Sequence, residues 1–97
     1  MDHCEFHNVE ILDGYFSGVI YIYSGHERYI LDFGYDVELK SLHLSNCSNP
    51  MYSDGRSYTL EEIANIRTDN YYIIQPEIEM YLATHPDIVF ADSEMGS

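Results

Sequence analysis

The stretch Asp13-Gly14-Tyr15-Phe16-Ser17-Gly18-Val19-Ile20-Tyr21-Ile22-Tyr23 decides the fold. Asp-Gly is a two-residue hairpin signal, because both residues tolerate positive φ. The run after it is rich in aromatic and β-branched side chains, which suit a pleated surface. Working outward, segment 4–12 precedes the turn. Segment 28–33 follows Ser24-Gly25-His26-Glu27, a four-residue turn. The three segments predict an antiparallel meander.

Its register follows from arithmetic. Setting Tyr23 opposite Arg28 places Ile22 opposite Tyr29, Ile20 opposite Leu31 and Gly18 opposite Phe33. One face is then uniformly apolar, as a core face must be. The other face carries Tyr21, Tyr23, Arg28, Ile30 and Asp32. Pairing across Asp13-Gly14 fits segment 4–12 less well. It puts Ile11 and Val9 on the core face together with His7 and Glu5, and leaves Phe6 and Cys4 outside. A one-residue bulge near His7-Asn8 restores Phe6 to the core.

Beyond Gly34, the alternation in Val37 to Leu44 predicts a fourth strand. Ser45 to Ser57 is polar and rich in turn formers, so it is a loop. Thr59 then starts a helix. Glu62, three residues on, completes a capping box, and Tyr58 and Ile63 can form a hydrophobic staple. Leu60, Ile63, Ala64 and the stem of Arg67 share one side. This helix is expected to end near Thr68-Asp69-Asn70. Tyr71 to Ile74 reads as a short strand. Pro76 suits the first turn of a second helix, whose apolar side is Ile78, Tyr81 and Leu82. His85-Pro86 ends it. Ile88-Val89-Phe90 reads as a last strand or an apolar clip, and 91–97 as a flexible tail. The expected architecture is a single α+β domain over 1–97. It has a small antiparallel sheet, an N-terminal meander of three to four strands plus a short later strand, and two short helices.

Composition sets limits on function. Asp and Glu number 17 against 4 Lys and Arg, a formal net charge of −13. Leu, Ile, Val and Phe make up about a quarter of the chain, above the roughly one-fifth below which highly charged chains stay unfolded. Direct binding to nucleic-acid phosphates is excluded in practice, since Arg28, Lys40, Arg56 and Arg67 are the only residues to neutralise them. An anionic membrane is disfavoured for the same reason. Met1-Asp2-His3-Cys4-Glu5 has neither a basic nor an apolar signal region. The apolar runs at Val19–Tyr23 and Tyr71–Ile74 are too short to span a bilayer. Cys4 and Cys47 make no disulfide framework and are expected as reduced thiols, in a cytoplasmic protein.

Little in the sequence points to catalysis. His3, Glu5 and His7 share one face of an extended strand, and two imidazoles with a carboxylate can bind zinc. Nothing else nearby closes such a site, and solvated histidines are the competing reading. Neither cysteine sits in a nucleophile motif, and no glycine loop cradles phosphate. No enzyme activity and no cofactor are expected. Ten tyrosines without a tryptophan are a heavy aromatic load. They pack the sheet or form a contact surface, and Tyr21 and Tyr23 on the mixed face are the interface candidates.

The carboxylates carry the functional reading. They recur along the whole chain, so the folded domain presents a broad anionic surface. Asp36 and Glu38, two apart on a strand, would stand about 6.7 Å apart, twice the strand rise. Glu61, Glu62, Glu77 and Glu79 in first helical turns suit the helix dipole. Asp69 after a helix end, and Asp36 and Glu38 outside helices, lack that explanation. The expected partner-binding residues are Asp32, Asp36, Glu38, Asp69, Glu77, Glu79, Tyr21 and Tyr23.

In composition alone, with no motif to support it, the chain is similar to phage-encoded inhibitors of host defence of the anti-restriction and anti-CRISPR kinds. That similarity implies a non-enzymatic DNA mimic that binds a basic nucleic-acid-binding protein and blocks its DNA or RNA site. Two alternatives stay open: an immunity protein that neutralises a basic nuclease toxin, and a small enzyme or metal-binding module. Self-association also stays open.

Overall fold

The computed structural model describes residues 2–52 and 55–85. Four strands, β1 (His3–Leu12), β2 (Tyr15–Ser24), β3 (Glu27–Asp36) and β4 (Ser41–Asn46), precede one helix, α1 (Leu60–Thr84). The strands form one antiparallel sheet in the order β1-β2-β3-β4. The helix lies on one face of it. Asp13 and Gly14 both take positive φ, 37° and 75°, as a tight turn between right-twisted strands requires. Tyr23 pairs with Arg28, Ile20 with Leu31 and Gly18 with Phe33, in the register read from the sequence. Ser24 also pairs with Glu27, so the turn itself is only Gly25-His26.

β1 carries the bulge. Its register against β2 shifts by one residue between His7 and Glu10, and Asn8 takes φ 53°. Before the shift, Cys4 and Phe6 pair with Ile22 and Ile20 and face the core. Gly18 sits opposite the bulge. A β-carbon there would lie 2.5 Å from the His7 carbonyl oxygen and 2.9 Å from that of Asn8. Only glycine lets the bulged backbone come this close.

The expected second helix and the strand at Tyr71–Ile74 are corrected: α1 runs unbroken through both, with Pro76 inside it. Ile63, Ile66, Asn70, Ile73, Ile74 and Ile78 form one buried stripe at helical spacing. Ile74 and Ile78, on either side of the proline, are fully buried. Burying a side chain of this size contributes about 1.5–3 kcal/mol. An internal proline costs about 3 kcal/mol, since it supplies no N–H to the carbonyl of Tyr72. The two isoleucines together offset that cost, so local proline chemistry loses to tertiary packing. The start was legible. Thr59 Oγ1 accepts from the Glu62 amide at 3.1 Å, and Glu62 Oε1 accepts from the Thr59 amide at 3.0 Å.

Val37–Lys40 is a turn and not the start of the fourth strand, which begins only at Ser41. Asp36 Oδ1 accepts from the Leu39 amide at 3.1 Å, and Lys40 takes φ 52°. The Val37 amide donates to Gly14 O at 2.9 Å and ties this turn to the first one. At the other end of the sheet, Asn46 closes the loop before the helix. Its Nδ2 donates to Tyr58 O at 3.0 Å and its Oδ1 accepts from the Tyr58 amide at 2.7 Å. The expected apolar segment at Ile88–Phe90 and the tail at 91–97 lie outside the described residues.

Two stability outcomes are expected. Gly18→Ala should lower stability by about 1–3 kcal/mol, the usual range for forced overpacking. A denaturant midpoint equal to the parent's would refute the bulge geometry. Pro76→Ala should raise the melting temperature, because an internal helical N–H is restored. An unchanged or lowered melting temperature would fit a proline at a helix start instead.

Candidate functional site

The sheet's outer face holds an aromatic patch. His3 stacks on Tyr23 with ring centroids 4.5 Å apart, and His7 leans on Tyr21 at 4.3 Å. Tyr52, from the loop after β4, closes over Tyr21 and His7 at 5.9 and 6.1 Å. Three loop contacts bring it there. The Ser48 amide donates to Asp32 Oδ2 at 2.8 Å, the Met51 amide to Asn49 Oδ1 at 2.9 Å, and the Tyr52 amide to Asn49 O at 3.0 Å. Val19 and Ile30 are buried on this outer face although the helix covers the other one. Between the two histidines stands Glu5, whose carboxylate reaches His7 Nε2 at 3.1 Å and His3 Nε2 at 3.6 Å. The three side chains therefore converge as the strand spacing implied, around a carboxylate that bridges two rings. Among the described residues no group of three or more is arranged to hold a metal ion.

The cysteines lie on opposite sides of the sheet and are both free. Cys4 is buried under the helix, its thiol 3.9 Å from Ile73 O. Burial first, then the charges of Glu77 and Glu5, push that thiol up to about 12. Burial also raises Cys47, which is only part-exposed. Neither offers the lowered-pKa thiolate that nucleophilic catalysis needs.

A cleft of about 340 Å³ opens between the first half of α1 and the β2–β3 hairpin, lined by Ser24, Tyr29, Tyr58, Glu62, Asp69 and Asn70 among others. Tyr29 and Tyr58 meet edge to face at 6.2 Å. The Tyr29 hydroxyl is held above its ordinary value by burial and then by Glu27, Tyr58 and Asp69. Beside the hairpin tip, Asp2 accepts from the Gly25 amide at 2.9 Å and from the Tyr72 hydroxyl at 2.8 Å. Those bonds, the Gly25 one first, hold the Asp2 carboxyl below its usual range. The same phenol–carboxylate bond raises Tyr72. Asn70 is 3% exposed.

The expected partner-binding residues are spread over four places. Tyr21 and Tyr23 belong to the aromatic patch. Asp32 and Asp36 each accept a backbone N–H from a neighbouring loop or turn. Glu38 lies in that turn, so the expected 6.7 Å strand spacing from Asp36 does not hold. Asp69 is mid-helix, not after a helix end, and lines the cleft. Glu77 and Glu79 lie in the second half of α1. The sequence reading missed Tyr29, Tyr58, Glu62 and Asn70 as neighbours. Asn70 gives a signal only along an unbroken helix, where it is a polar residue at an apolar position of the stripe. The other tyrosines divide between packing and the surface, where Tyr15 and Tyr71 are exposed. Tyr35 is buried, Tyr81 stacks on Phe16 at 4.9 Å and on His85 at 4.1 Å, and Tyr71 lies 5.8 Å from the Arg67 guanidinium.

No helix among the described residues is long and apolar enough to cross a membrane. Compared with protein-family models, with curated proteins and with solved structures, the chain finds no match in any of the three.

The thiol environments give a direct check. A disulfide thiol reagent at mildly alkaline pH should titrate Cys47 in the native protein and reach Cys4 only after unfolding. Prompt reaction of both thiols in the native state would contradict the burial of Cys4.

Proposed function

We propose that this domain is a non-enzymatic acidic inhibitor of the anti-restriction or anti-CRISPR type, which occupies the nucleic-acid site of a basic protein. One observation carries the reading. The ion pairs between described residues join only Glu5, and to histidines, while Arg67 turns inward to donate to Leu42 O at 3.1 Å. That bond ties the helix to β4 through an otherwise exposed side chain. With a net charge of −13 and few ion pairs between described residues, the domain projects a field that steers it into a cleft built for phosphates. Like charges also repel one another and lower stability, so this composition carries a cost that a merely soluble protein avoids. A surface of this kind needs no catalytic group, and neither thiol is activated.

The test is competition. A purified basic DNA-binding effector or nuclease is titrated with the protein in the presence of labelled duplex DNA. Displacement of the DNA is expected, with an affinity that falls steeply as the Debye length shrinks from about 10 Å at 0.1 M salt to about 3 Å at 1 M. Simultaneous binding of DNA, or an affinity flat with salt, would overturn the reading.

A further inference from the structure

We infer that the cleft between α1 and the β2–β3 hairpin is a receptor for a guanidinium group, the arginine side chain of a basic partner. The inference rests on the reading above and specifies what part of the partner is recognised. Asn70 supplies the observation independent of the acidic residues. It is 3% exposed and lines the cleft, in a stripe otherwise made of isoleucines. Its Nδ2 donates to Ile66 O at 2.8 Å. A carbonyl can only accept, so this bond fixes which end of the amide faces Ile66. The amide oxygen is left over, and no donor among the described residues reaches it. Filling this position with an apolar residue would have removed a polar atom that has no protein partner.

The cleft's other groups match one ligand chemistry. The Asp69 carboxylate also lines the cleft, and it takes part in no hydrogen bond or ion pair with another described residue. A carboxylate accepts two parallel N–H bonds from a guanidinium, and the planar cation has further donors for an amide oxygen. Tyr29 and Tyr58 supply aromatic rings, on which guanidinium stacks better than a compact ammonium. Glu62, two helical turns before Asp69, lies about 10 Å away along the axis at a rise of about 1.5 Å per residue. It adds negative potential while its Oε1 holds the helix cap. The Tyr29 hydroxyl is raised by burial first and then by Glu27, Tyr58 and Asp69. No Lys or Arg lines the cleft.

The full-length chain, labelled with ¹⁵N, is titrated with N-acetyl-arginine methylamide and with its lysine counterpart. Saturable shifts are expected at the Asn70 side-chain amide and at the Asp69 and Tyr29 backbone amides, with the arginine compound binding more tightly. Asp69→Asn should weaken binding about fivefold, which is about 1 kcal/mol at 1.4 kcal/mol per tenfold. Glu10→Gln, on β1 and outside the cleft, should change nothing. The inference is overturned by no saturable shift at these residues, by equal binding of the lysine compound, or by equal effects of the two substitutions. Failure here with intact competition against DNA removes the guanidinium site and leaves the proposed function standing. Saturable binding here without competition against DNA does the reverse.

Discussion

One helix has to cover one whole face of a four-stranded sheet, and the rest of the structure depends on that packing. Among the described residues no second helix shares the task. At about 1.5 Å per residue, a helix of this length reaches roughly 37 Å, enough to run from Leu42 on β4 across to Phe6 on β1. The continuous isoleucine stripe holds Pro76 inside the helix. It also forces the Cys4 thiol to stay neutral, because the helix seals that thiol from water. Phe6, Phe16, Phe33 and Tyr81 pack together where the helix passes over β1 and β2. Without the bulge opposite Gly18, Phe6 would face water and that end of the core would be open.

With most of the buried apolar groups between helix and sheet, the described charges fall on the helix's outer side, the outer sheet face and the loops. The carboxylates then divide by what they touch. Asp2, Asp32, Asp36 and Glu62 accept backbone N–H groups at a hairpin tip, a loop, a turn and a helix start. Those four are structural, and charge-assisted bonds of this kind are stronger than neutral ones. Glu5 is held between two imidazoles. Asp69 and Glu38 make no such bond to another described residue. Acidity in this protein is thus two properties: local bonds that organise turns, and a remainder that faces outward as a field.

The sheet was largely legible and the helix only half so, for different reasons. Strand pairing has a period of two, so one correct pair, Tyr23 with Arg28, fixed every other pair between β2 and β3. The difficulty at Phe6 announced the bulge, since a one-residue slip would have turned its side chain to water. The helix start carried a specific local signal in Thr59 and Glu62. Its continuation carried a misleading one, because Pro76 and the run Tyr71-Tyr72-Ile73-Ile74 each look locally like a break and a strand. Only the sheet beneath decides otherwise. The turn at Val37–Lys40 was hidden because its cause, the Asp36 side chain capping the Leu39 amide, is invisible to an apolar-pattern reading. Of the cleft, only Asp69 was named from the sequence, and Asn70 was hidden because the helix was expected to end there. Tyr29, Tyr58 and Glu62 come from three separate segments, and no spacing rule connects them.

The two aromatic regions differ in how far their polar atoms are already satisfied. On the outer sheet face, Tyr21 lies against His7 and Tyr23 stacks on His3, Tyr52 meets Tyr21 and His7, and Glu5 faces both imidazoles. Contacts of that kind help to hold the loop after β4. In the cleft, Tyr29 and Tyr58 meet edge to face, and among the described residues no cation lines the cleft beside Asp69 and no donor reaches the Asn70 oxygen. Long-range attraction of a basic protein needs only net charge, which the entire surface supplies. Short-range discrimination needs unsatisfied acceptors held in fixed geometry beside a ring. In the cleft, α1 carries Asp69 and Asn70 while β3 and the segment before the helix bring Tyr29 and Tyr58.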